Sequence, residues 1–104
     1  MKELTVEEHL VKRVRELGGE VRKVKWLGRR NAPDRLVMLP RNNTAIWNSW
    51  SNTIWVEVKN PETILTFPAN AHERAQAREH DTMRRMGQRV EVIGTIEQVE
   101  SLLS

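Results

Sequence analysis

At 104 residues the chain suits one compact domain, residues 1–104, with one core, and 38% apolar against 30% charged content suits a soluble globular protein. No apolar run reaches the roughly 18 residues of a membrane-spanning helix, the stretch Met1 to His9 has no apolar core for a signal peptide, and cysteine is absent, which excludes disulfides and thiolate metal sites; a cytoplasmic location is the simple reading. The net charge of +3 permits a polyanionic partner, and it is unevenly spread: Lys12 to Arg35 holds nine Lys and Arg against Glu16, Glu20 and Asp34. A solvated basic face accounts for that clustering as well as a nucleic-acid contact does.

Residues 5–17 are predicted helical, with Val6, Leu10, Val14 and Leu17 on one stripe. Thr5 and Glu8 have capping-box spacing, and Gly18-Gly19 stops the helix. Glu7 has no structural task in that scheme beyond a favourable charge near the N-terminus. Residues 20–27 read as a strand with imperfect alternation, followed by a loop from Gly28 to Pro33 in which Arg29 and Arg30 either contact phosphates or are simply solvated. Residues 34–39 form a second strand. Pro40 to Thr44 is turn material, and Trp47 and Trp50 either anchor a partner or fold back onto the core. A wide hairpin joins this strand to a third at 53–59.

That third strand, Ile54-Trp55-Val56-Glu57-Val58-Lys59, carries the chemistry. Alternation puts Glu57 and Lys59 on one face and Val56 and Val58 on the other. Charges on such an apolar strand need a partner or a metal. Asp34 supplies a second carboxylate where the strands pair. Two carboxylates, a lysine and a backbone carbonyl at one strand end make a hard-cation site able to activate water. Asn60-Pro61 closes the strand, and 60–70 is read as a loop. A long helix follows from Ala71 to Met86, its apolar side formed by Ala75, Thr82, Met83 and Met86, with Gln76 on the face of His80 and Met83. Gly87 ends it. Residues 89–93 are a fourth strand, and Thr95 and Gln98 have capping-box spacing for a last helix through Val99, Leu102 and Leu103. Three consecutive strands favour an antiparallel meander, and the strand after the long helix joins by a crossover.

Pro33-Asp34 with Glu57-Val58-Lys59 resembles the PD-(D/E)xK signature of the restriction-endonuclease-like superfamily. Val6-Glu7-x-x-Leu10-Val11-Lys12 with Leu17-Gly18-Gly19 resembles the first helix of VRR-NUC nucleases. Gly28-Arg29-Arg30-x-x-Pro33-Asp34-Arg35 resembles the loop before that family's metal-binding aspartate, and Gln76, eleven residues before Gly87, its helical glutamine. Val90 to Ile93 followed by Ile96-Glu-x-Val99 is similar to its closing strand and helix. The likeness runs from Val6 to Leu103 and is greatest to the small stand-alone, often phage-encoded members. Ala32 replaces a frequent glycine, and the segments Asn42 to Asn52 and 60–70 are longer than usual.

The resemblance implies an α/β fold: a restriction-endonuclease-like αβββαβ core, with a mixed sheet flanked by helices, and a C-terminal helix. It implies a Mg²⁺- or Mn²⁺-dependent endonuclease acting on DNA. Asp34, Glu57 and the Val58 carbonyl would ligate the metal, and Glu7 would act through a water or a second ion. Lys59 would orient or activate the attacking water, and Gln76 would position the water or a phosphate. Lys25, Arg29, Arg30 and Arg35 are candidates for DNA backbone contacts, which position without reading sequence. The resemblance further implies a homodimer acting on branched DNA such as four-way junctions; Trp47 and Trp50, in a segment that departs from the family, are candidate interface anchors. Two alternatives stand beside it: a catalytically silent DNA-binding protein of the same fold, and a small protein-interaction domain.

Overall fold

The computed structural model describes residues 3–40 and 52–104. The expected connection carrying Trp47 and Trp50 lies outside them. The elements run α1 (Glu3–Glu16), β1 (Glu20–Lys23), β2 (Arg35–Met38), β3 (Thr53–Val58), α2 (Pro61–Ile64), α3 (Ala71–Arg85), β4 (Val90–Ile93) and α4 (Ile96–Leu103). The sheet order is β1-β2-β3-β4. The first three strands form the expected antiparallel meander, with Val37 opposite Ile54 and Arg35 opposite Val56. β4 returns through α3 to lie parallel to β3, with Glu57 beside Val92. The result is the expected mixed sheet flanked by helices. No helix of the described residues is long and apolar enough to cross a membrane.

The two faces of the sheet differ in chemistry. On one, Val37, Ile54, Val56, Val58 and Ile93 meet Val6, Leu10 and Val14 of α1 and Val99, Leu102 and Leu103 of α4 in one buried apolar cluster. The spacing of Val6, Leu10 and Val14 is that of a single helical stripe. Gly18 ends α1 with a φ of 85°, a conformation that glycine adopts without strain, while the Gly18 and Gly19 amides bond back to the carbonyls of Arg15 and Val14. The helix begins at Glu3, so Thr5 sits inside it and the expected Thr5–Glu8 capping box does not form its start.

Two further differences have physical causes. Residues 60–70 contain a short helix, because Asn60 accepts from the Thr63 amide as N-cap and Pro61 stands at the first helical position, where its missing N–H costs nothing. The buried side of α3 is Glu73, Gln76, His80 and Met83; Ala75 and Thr82 are only half-buried and Met86 is exposed. Three of those four side chains are polar, so hydrophobic periodicity selected the wrong edge of this helix. The α4 start follows expectation at Thr95, which accepts from the Gln98 amide, but the Gln98 side chain accepts from Gly94 instead of from the cap residue. Gly94 is also a point of close approach: a Cβ there would stand 2.5 Å from the Ile64 Cβ and 2.8 Å from the Asn60 carbonyl, fixing the chain that leaves Lys59.

α1 and α4 are clasped by Glu100, whose Oε2 lies 2.7 Å from His9 Nε2 and accepts from Arg13 Nε at 3.0 Å. The hydrogen bond with His9 and then that with Arg13 hold the Glu100 carboxyl below the usual carboxylate range. A carboxyl lowered by folding contributes stability above its unfolded-state pKa, and that contribution is lost as the pH falls through the folded value. Glu100→Gln is therefore expected to melt below the wild type near neutral pH, with the difference closing as the pH falls through and below about 4. Thermal midpoints across pH test this; a gap independent of pH would show that the carboxylate charge is not what matters.

Candidate active site

The opposite face of the sheet builds the polar cluster. Trp55, Glu57 and Lys59 point there by alternation from Ile54, Val56 and Val58, which are buried in the core. Lys59 continues the ladder beyond the strand, its amide bonding to the Ile93 carbonyl at 2.7 Å. The β2–β3 register pairs Arg35 with Val56; carried one residue further it sets Asp34 opposite Glu57, on the same face. Facing residues of an antiparallel pair have Cβ atoms about 5 Å apart.

The loop carrying Asp34 is tied down from below. Trp26 Nε1 donates to the Pro33 carbonyl at 2.8 Å, and the Trp26 ring packs on Trp55 at 5.1 Å between centroids. Asp34 itself is 51% exposed and contacts Arg35 Nη1 at 2.8 Å. Arg35 turns to the core side, where its Nε and Nη2 donate to Glu7 Oε1 at 3.0 and 2.7 Å. Burial alone would lower the Arg35 pKa, but the bond to Glu7 and the charge of Asp34 outweigh it and hold the guanidinium charged. Glu7 is thereby linked to Asp34 through one arginine, across the edge of the sheet, and Oε1 takes both of the bonds Arg35 makes to it.

α3 lies across Glu57 and Lys59 with its polar side inward. Lys59 Nζ donates to Gln76 Oε1 at 2.7 Å and stands 3.9 Å from Glu73 Oε2 and 5.2 Å from the centre of the Phe67 ring. Glu73 is 6% exposed. Its Oε1 accepts from the Ala69 amide at 2.8 Å while Asn70 caps the Glu73 amide, so the residue both starts the helix and faces the lysine. Glu57 Oε1 lies 3.4 Å from His80 Nε2. Glu73, His80 and Phe67 carry no role in the sequence reading. The Asn70-x-x-Glu73 spacing was the available signal for Glu73, and its position three residues before Gln76 places it on the same face.

The structure thus joins Lys59 to Gln76 directly and sets Glu57 on the same strand face, with Asp34 opposite Glu57 by register and Glu7 joined to Asp34 through Arg35. The basic candidates are more scattered. Arg29 is held by Glu79 through three bonds of 2.6 to 3.0 Å, and Lys25 and Arg30 are exposed. Among the described residues no three His, Asp or Glu side chains converge to hold a metal by themselves. The donor set at the strand end is two carboxylates and a backbone carbonyl, all hard oxygens. It fits a cation that keeps several waters, as Mg²⁺ does, and lacks the nitrogen and sulfur ligands that zinc favours.

A sheet of this topology, with a carboxylate just before β2 and a Glu-x-Lys pair at the end of β3, is the restriction-endonuclease-like class. No protein-family model matches the sequence. The chain is 36% identical over 84 residues to the "Putative nuclease p44" of Acyrthosiphon pisum secondary endosymbiont phage 1, a match covering 80% of this chain and 81% of that protein. It is also similar to a solved VRR-NUC domain, at 35% identity and a TM-score of 0.72, over 98% of this chain and 94% of that one. The chain belongs to the VRR-NUC family.

Proposed function

We propose that residues 1–104 act as one nuclease domain that hydrolyses phosphodiester bonds in DNA with Mg²⁺ or Mn²⁺. The observation that carries this reading is the Glu57–Lys59 pair: a carboxylate and an ammonium on one face of a strand end, the ammonium fixed by Gln76, and Asp34 set opposite the carboxylate. Kinship with a VRR-NUC domain and with a phage protein named as a nuclease supports it.

When bound, the cation supplies a Lewis acid that lowers the pKa of water and offsets charge at the phosphate. Asp34, Glu57 and the Val58 carbonyl hold it. Lys59 donates to the attacking water and neutralises charge developing on the phosphoryl oxygens. The water oxygen bonds to phosphorus, the bond from phosphorus to the leaving sugar oxygen breaks, the water's proton passes to solvent and the sugar oxygen takes one back. Gln76 fixes Lys59, and Glu7 steadies Asp34 through Arg35 while its second oxygen serves a water or a second ion. Lys25, Arg29 and Arg30 follow the DNA backbone, Arg29 after exchange of its Glu79 partner for phosphate. With contacts of that kind cleavage is governed by DNA structure. Branched DNA is the substrate class, and a homodimer supplies two sites for paired nicks. The host cytoplasm, where phage DNA is processed, is the corresponding location.

Labelled duplex, single-stranded, flap and four-way-junction DNA, each with Mg²⁺, Mn²⁺ or EDTA, test the reading. Cutting is expected with either metal, none with EDTA, and the fastest rate on a branched substrate. DNA that is retarded but never cut with either metal would replace the nuclease by a silent DNA-binding protein.

A further inference from the structure

His80 is 1% exposed, and its Nε2 is the buried side-chain nitrogen or oxygen without a hydrogen-bond partner among the described residues. Buried polar atoms in folded proteins are rarely left unpaired, and one that is calls for a reason. The ring has little freedom to find another partner. Phe67 stacks on it at 6.1 Å and 24°. Glu57 Oε1, at 3.4 Å, is just beyond an ordinary hydrogen bond.

The spacing of the two elements explains why these groups meet. Four residues along a helix rise about 6 Å, and two residues along a strand rise about 6.6 Å. Gln76 and His80 therefore match Lys59 and Glu57 two for two, in opposite chain directions, and the first of the pairs is closed at 2.7 Å. We propose that His80 is a positioning residue for Glu57: its Nε2–H holds Oε1, so that the other carboxylate oxygen is presented to the cation. The inference rests on the nuclease reading above. A neutral imidazole with its proton on Nε2 suffices. Carboxylate ligands are commonly oriented by such outer partners, whose loss costs about 10- to 100-fold in metal affinity or activity.

The test compares wild type, His80→Phe and His80→Gln. Phenylalanine keeps the ring against Phe67 and removes the donor; glutamine restores an N–H at similar reach. Mn²⁺ binding without DNA is followed by the electron paramagnetic resonance signal of free Mn²⁺, and cleavage by kcat and KM on the preferred DNA. His80→Phe is expected to melt as wild type does, to bind Mn²⁺ about 10- to 100-fold more weakly and to lose kcat with KM for DNA unchanged. His80→Gln is expected to recover most of both losses. Wild-type Mn²⁺ affinity in His80→Phe, or equal losses in the two variants, overturns the positioning role while leaving the nuclease reading standing. A wild type that neither binds Mn²⁺ nor cuts DNA removes both. Should His80→Phe fail to fold, His80→Met against His80→Gln makes the same comparison.

Discussion

Lys59→Met is expected to slow phosphodiester cleavage by at least about 100-fold while leaving the protein folded and able to retain DNA. Methionine keeps the unbranched stem and removes only the ammonium, so the loss isolates the charge. Removal of one preorganised donor aimed at developing negative charge typically costs about 10²–10³ in rate. The fold tolerates the change because Lys59 stands on the face away from the apolar cluster of α1, β2, β3 and α4, and Glu73 keeps its bond from the Ala69 amide when the lysine is gone. Single-turnover rates at saturating protein, with gel retardation measured in parallel, give the two readouts separately. Cleavage within about threefold of wild type would remove Lys59 from the chemistry.

Arg35→Met should have the larger effect on stability. The Arg35 side chain is 12% exposed and joins Glu7 on α1 to Asp34 just before β2. Its loss leaves the Glu7 and Asp34 carboxylates without the cation they share. Breaking a buried pair by removing one partner costs about 3–5 kcal/mol, but Glu7 and Asp34 both reach solvent, so about 1–3 kcal/mol is the expected loss here. That corresponds to a fall in Tm of roughly 5–15 °C for a domain of this size. The same variant separates two roles for this arginine. If it works by holding Glu7 and Asp34, the salt dependence of DNA binding stays as in wild type. If it contacts a phosphate, the slope of log affinity against log salt falls by about one.

The readable parts of the sequence were those whose chemistry is carried by period and spacing. Alternation along β3 separated Ile54, Val56 and Val58 from Glu57 and Lys59, and the order of elements gave the meander and the parallel return of β4. What stayed hidden has a common cause: groups paired by tertiary contact leave no apolar pattern. On the inward side of α3, Glu73 and His80 are passed over by a search for hydrophobic stripes in favour of Ala75, Thr82 and Met86, while Gln76 between them is marked only by its spacing from Gly87. Asn60-Pro61 reads as a strand stop in the sequence, although the same two residues are a cap and a first-turn proline. Arg35 reads as one more positive charge in a basic run; only the fold shows that its side chain turns inward to Glu7.

The division of the sheet into a dry face and a polar face separates what natural selection can alter independently. Substitutions among Glu57, Lys59, Gln76 and His80 fall on a surface that the apolar cluster does not use, so a lineage can lose its chemistry without losing its shape. A descendant stripped of the lysine would still fold, present the same basic surface and be free to take up a role in holding DNA, which makes inactive kin a natural by-product of this architecture.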